Sequence, residues 1–121
     1  MPTELWSIPV PATAIHEGPT FSPFPGRECG ISFCIDDGGA LRNVRLLFEN
    51  VEAYKCTYRT FLTREMVDLA YGRLVRLGET PWLAELRKAH RGGHRSELQH
   101  LMICFDDGPC YEIVCAGFRV T

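Results

Sequence analysis

The chain has 121 residues, 45% of them hydrophobic and 23% charged, with a formal net charge of −2 and an isoelectric point near 6.1. That length and composition suit one globular domain spanning 1–121, and the slight acidity excludes the basic excess that nucleic acid or an anionic membrane usually meets. The opening MPTELWSIPV has no basic segment leading into a long apolar run, so the expected location is the cytoplasm, with the six cysteines reduced and mostly buried as small hydrophobes.

Six of the eight prolines fall before Arg27. Proline fixes its backbone angle and lacks an amide donor, so LWSIPVP reads as at most a short edge strand and GPTFSPFPG as an extended strap. Trp6, Ile8, Val10, Phe21 and Phe24 give this segment, residues 1–28, apolar teeth to dock on a core. From Gly30 the pattern turns to strands: GISFCI, a DDGG turn, LRNVRLLFENV, then AYKCTYR, where Tyr54, Cys56 and Tyr58 alternate with Lys55, Thr57 and Arg59.

Helix follows. In TREMVDLAYGRLVRLG, Met66, Ala70, Leu74 and Leu77 recur at helical spacing, with Thr63 as N-cap and Gly78 as terminator. Thr80 caps a second helix, TPWLAELRKAH, with Pro81 at its first position and Trp82, Leu83, Leu86 and Ala89 on its buried side. HRGGHRSE is a loop, and LQHLMICF, DDGP and CYEIVCAGFRV make two further strands around a turn.

CIDDGG at Cys34 is echoed by CFDDGP at Cys104, an offset of seventy residues. Asp-Gly between apolar runs signals a β-hairpin, so each copy predicts one. In the second, Pro109 has no amide to close a tight turn, which points to a loop of Asp106 to Pro109 with Phe105 opposite Cys110. This hairpin is apolar on both faces and belongs in the middle of the fold. Neither DDG bend has the oxygen ligands that calcium wants. The expected architecture is α+β: an antiparallel sheet of the two hairpins plus the Tyr54 strand, with two consecutive helices on one face.

Few residues carry chemistry. Glu112 stands in an apolar strand, where a carboxylate needs a partner or a raised pKa, and His100 or Arg42 could supply one. Glu112 and His100 are the catalytic candidates. Arg87, Lys88, Arg91 and Arg95 form a local basic patch able to meet a phosphate or an acidic surface. His90 and His94 have a metal-like spacing, but Gly92 and Gly93 break the helix between them, so neither a metal nor a cofactor is expected.

The run HLMICFDDGPCYEIVC, with TPWLAEL upstream, resembles the C-terminal part of small bacterial proteins of unassigned function, among them immunity-type proteins that neutralise toxins. The resemblance implies a non-enzymatic protein-interaction or accessory module whose partner is a toxin-like protein or a second copy of the chain. Two alternatives stand beside it: a small-ligand-binding domain, and a minor enzyme using Glu112 and His100.

Overall fold

The structure, a computed structural model, describes residues 2–89, 97–106 and 108–121. The protein is α+β with antiparallel sheets. Its strands are β1 (Thr3–Ser7), β2 (Ile15–Phe24), β3 (Glu28–Asp37), β4 (Ala40–Glu49), β5 (Ala53–Thr57), β6 (Arg73–Arg76), β7 (Gln99–Cys104), β8 (Cys110–Cys115) and β9 (Gly117–Val120). Helix α1 spans Arg64–Ala70 and α2 spans Pro81–Ala89. Among the described residues these strands form two sheets rather than one, of order β1-β6-β7-β8-β5 and β2-β3-β4-β9.

The two sheets pack face to face, each strand turning alternate side chains inward. Cys29, Ile31, Phe33 and Ile35 of β3 and Val44, Leu46 and Phe48 of β4 meet Leu74, Leu101, Ile103, Tyr111, Ile113 and Cys115 of the larger sheet. Each such Ile, Leu or Phe contributes about 1.5–3 kcal/mol on leaving water. The two DDG hairpins therefore oppose one another instead of sharing a sheet, and Phe33 meets Phe105 edge-on at 5.2 Å. The first closes on Gly38 and Gly39, both at positive φ, while Asp36 Oδ1 accepts a hydrogen bond from the Gly39 amide at 2.8 Å. All six cysteines are free thiols; burial pushes Cys29 up to about 11 and Cys115 up to about 12.

The second hairpin is one residue out from the expected register. Cys104 pairs with Cys110, the Phe105 amide donates to the Pro109 carbonyl at 3.3 Å, and the Gly108 amide closes the bend onto Phe105 at 3.2 Å. Proline is placed where only its carbonyl is needed, so Phe105 faces Pro109 rather than Cys110. With a side-chain period of two, that step moves every residue of β8 to the other face. Tyr111, Ile113 and Cys115 enter the inter-sheet core, and Glu112 turns to the opposite side.

Two further segments differ from the sequence reading. The helix expected over 63–78 stops at Ala70: Thr63 caps it as anticipated, accepting from the Met66 amide at 3.2 Å, but Gly72 takes φ +68 and RLVR continues as β6. Sheet pairing overrides the helical pattern here. The Gly72 amide donates to the Cys104 carbonyl and its own carbonyl accepts from Ile8, so Leu74 serves the inter-sheet core while Val75 faces α1. The two helices are thus separated by a strand, yet both cover the same outer face of the larger sheet. Ala70, Met66 and Leu69 pack over Val75, Met102, Cys104 and Cys110, and Leu83, Trp82 and Leu86 over Leu98 and Val114.

The proline-rich segment supplies two edge strands, β1 beside β6 and β2 beside β3. Its prolines are tolerated because an edge strand has one side without ladder partners, and β2 slips register against β3 on either side of Glu17. CYEIVCAGFRV is split at Ala116, β8 staying in the larger sheet and β9 crossing to the smaller one. Among the described residues no helix is long and apolar enough to cross a membrane.

Candidate functional site

The one-residue register of the second hairpin creates the polar site that the sequence only hinted at. Met102 pairs with Glu112 and His100 with Val114, which puts Glu112 diagonal to His100 on the helix-covered face. In the register with Phe105 opposite Cys110 the two would lie on opposite faces. Here His100 Nε2 is 2.8 Å from Glu112 Oε1. The His100 side chain is 4% exposed and that of Glu112 12%.

Helix α2 completes the site. Thr80 is its N-cap, the hydroxyl oxygen accepting from the Leu83 amide at 3.2 Å, and the same oxygen lies 2.7 Å from His100 Nδ1. With the imidazole neutral, the Thr80 hydroxyl donates to Nδ1 and Nε2–H donates to the carboxylate, so both ring nitrogens are partnered. Trp82 meets the imidazole edge-on at 5.0 Å, and Lys55, directly across from Glu112, holds its ammonium 4.1 Å from the Trp82 ring centre. The His100 hydrogen bond holds Glu112 below the usual carboxylate range against the opposing effect of burial, with the charge of Lys55 assisting.

The site's chemistry is inward-looking. Both nitrogens of His100 are engaged, and the small hollow of about 210 Å³ beside it is walled by Glu79, Leu83, Arg87, Leu98 and His100 but not by Glu112. Among the described residues the hollow at His100 does not reach Glu112, and the two candidates tie the start of α2 to the centre of the sheet. Arg42, the other partner considered for Glu112, lies in the opposite sheet and pairs with Asp37 at 3.4 Å. Thr80 is the residue sequence reading assigned too small a role: its cap signal was evident, its bond to His100 was not.

This dual role carries an expectation. Thr80→Val removes the cap acceptor and the donor to Nδ1 together, so it should cost about 2 kcal/mol, the upper end for an N-cap. Thr63→Val, which loses only a cap, should cost about 1 kcal/mol. Urea unfolding of both variants compares them directly.

Against protein-family models, curated proteins and solved structures, the chain finds no match. Its function must therefore be read from its own surface.

The remaining sequence candidates are dispersed. Arg87 pairs with Glu79 and donates to the Leu98 carbonyl at 2.7 Å, fastening the end of α2, while Lys88 is exposed. Arg91 and Arg95, like His90 and His94, lie outside the described residues, as does Asp107. Asp106 accepts from the Tyr71 hydroxyl at 2.7 Å.

Two surface features had no clear sequence signal. Along the flank of β5 and the 3₁₀ turn Arg59–Phe61, Tyr54, Tyr58 and Phe61 are 50%, 70% and 79% exposed. Across the outer face of the smaller sheet runs a cleft of about 500 Å³.

Proposed function

We propose that the protein is a non-enzymatic interaction module, in the manner of immunity-type or accessory proteins, and that it engages an extended segment of a partner protein along β5. The observation that carries this reading is the exposed aromatic row of Tyr54, Tyr58 and Phe61. Large exposed rings cost hydration free energy, and Tyr in particular is enriched among residues that dominate protein interfaces.

The neighbouring backbone supports a strand as the occupant. β5 is an edge strand paired only with β8, in continuous register from Ala53 to Thr57. The other long edges are blunted: β1 carries a register shift between Glu4 and Trp6, and β2 carries two as well as Pro19 and Pro23. A regular edge without bulge or proline is the kind to which an added strand pairs, its ladder supplying affinity and flanking side chains specificity.

The test compares wild type with Tyr58→Ala/Phe61→Ala, two exposed positions whose change leaves the core intact. Proteins retained on immobilised wild type should be lost, with affinity falling at least about tenfold, while the melting temperature stays put. Sedimentation of the isolated protein identifies a second copy as the partner if self-association is lost in the same variant. Retention of the same proteins by both forms sinks the reading. The alternative of a small-ligand-binding domain is favoured by a separate feature, the cleft on the smaller sheet.

A further inference from the structure

The outer face of the four-stranded sheet is not flat. β2 slips register against β3 between Ile15 and Glu17 and again between Glu17 and Thr20, and along this irregular stretch Glu17, Gly18 and Thr20 wall a cleft of about 500 Å³. Gly18, at φ +96, fixes that irregularity: a Cβ there would meet the Ser32 carbonyl oxygen at 2.9 Å. The volume lies within the usual range for small-molecule sites.

The cross-strand pairs place the lining side chains. Ser32 and Cys34 of β3 point away from the inter-sheet core, since their neighbours Ile31, Phe33 and Ile35 fill it. Thr20 pairs with Ser32, Glu17 with Cys34, Arg45 with Ser32 and Asn43 with Cys34, so all six share the outer face. Polar side chains on a solvent-facing sheet are ordinary. The distinguishing feature is charge: Glu17 and Arg45 stand on the two strands flanking β3, and among the described residues neither forms an ion pair with the other or with any third group.

Two strand spacings and a two-residue offset along β3 separate their backbones by about 12 Å. That leaves room between the charged heads for one small molecule carrying both complementary charges.

We infer that this cleft binds a zwitterionic α-amino acid or short peptide, its carboxylate on Arg45 and its ammonium on Glu17. The planar guanidinium matches a carboxylate in a two-pronged hydrogen bond. Thr20, Ser32 and Asn43 supply hydroxyl and amide partners between the charges, where the remaining polar atoms of such a ligand lie. A simple anion would use only half of the site and leave Glu17 opposing it.

Cys34 on the cleft floor provides the readout, with exposed Cys56 on the other sheet as an internal control. Glycine, L-glutamine, L-leucine and glycylglycine are titrated while alkylation of both thiols is followed by mass spectrometry and amide shifts are followed by NMR. The expected result is slowed alkylation of Cys34 alone by at least one of these probes, with shifts confined to β2, β3 and β4. The N-acetyl and amide forms of that probe, each lacking one charge, should bind about tenfold or more weakly.

Arg45→Met and Glu17→Gln, both at exposed positions, should each weaken the intact probe to a similar degree at unchanged melting temperature. Glu17→Gln should in addition erase the preference over the N-acetyl form. Failure of all four probes at millimolar concentration, equal binding of the charge-blocked forms, or undiminished binding to Arg45→Met would each overturn the assignment. Cys56 lies on β5, so slowed alkylation there would instead place the probe at the aromatic flank.

Discussion

Glu112→Leu should lower the unfolding free energy by about 3 kcal/mol, since it leaves a buried His100 Nε2–H with no acceptor beneath α2. The measurement is urea unfolding at neutral pH. Glu112→Gln retains an acceptor oxygen at the same place and should lose less. Replacing both partners, His100→Leu with Glu112→Leu, should recover much of the loss, because the cost of a broken buried pair lies mainly in the group left behind.

Acid titration separates the charge from the hydrogen bond. The folded pKa of Glu112 is depressed, so its ionisation favours the folded state fully above the ordinary glutamate value of about 4.3, and this contribution is lost as pH falls through the lower folded value. The stability difference between wild type and Glu112→Gln should therefore shrink on acidification. A difference that stays constant from neutral to acid would mean that the carboxylate is no better stabilised in the fold than in the unfolded chain.

The second large effect lies in the smaller sheet. Gly18→Ala should cost about 2 kcal/mol or more, because alanine must adopt a left-handed backbone angle and its Cβ would sit 2.9 Å from the Ser32 carbonyl oxygen and 3.1 Å from the Phe33 Cα. Gly26→Ala is the matched control: φ is +80 there, but nothing lies within 4 Å of the added carbon. The two share the backbone penalty and differ in the collision. Equal losses in urea midpoint would show that β2 can back away from β3 at no cost.

Much of this architecture could be read from local pattern. Thr63 and Thr80 cap where their spacing says, the DDGG bend closes on its two glycines, and the double-sided apolar hairpin lies at the centre as its composition demands. What escaped depends on partners distant in the chain. The stripe of Met66, Ala70, Leu74 and Leu77 fits a helix, but Leu74 and Val75 between two arginines also suit a short strand buried on both faces, and only the gap between β1 and β7 decides for it. Likewise Pro109 announces that the second turn is unusual without saying which residue lies opposite Phe105, and that single choice set the face of Glu112.

The same holds for the site. Glu112 with His100 was recognisable as a pair from an acid in an apolar strand, whereas the addition of Thr80 and Trp82 required α2 to be laid across β7 and β8. The cleft residues Glu17 and Arg45 are twenty-eight positions apart in sequence. Nothing local couples them; the strand order does.

The hairpin of β7 and β8 has the smaller sheet against one face and both helices against the other, with β6 and β5 hydrogen-bonded along its two sides. Its amide protons can reach solvent only when neighbouring layers separate, so in deuterated buffer they should be the last to exchange and should do so through whole-molecule opening. Those of β5, open along one edge, should exchange earlier, and the order of disappearance would map the protein's nested shells from the outside in.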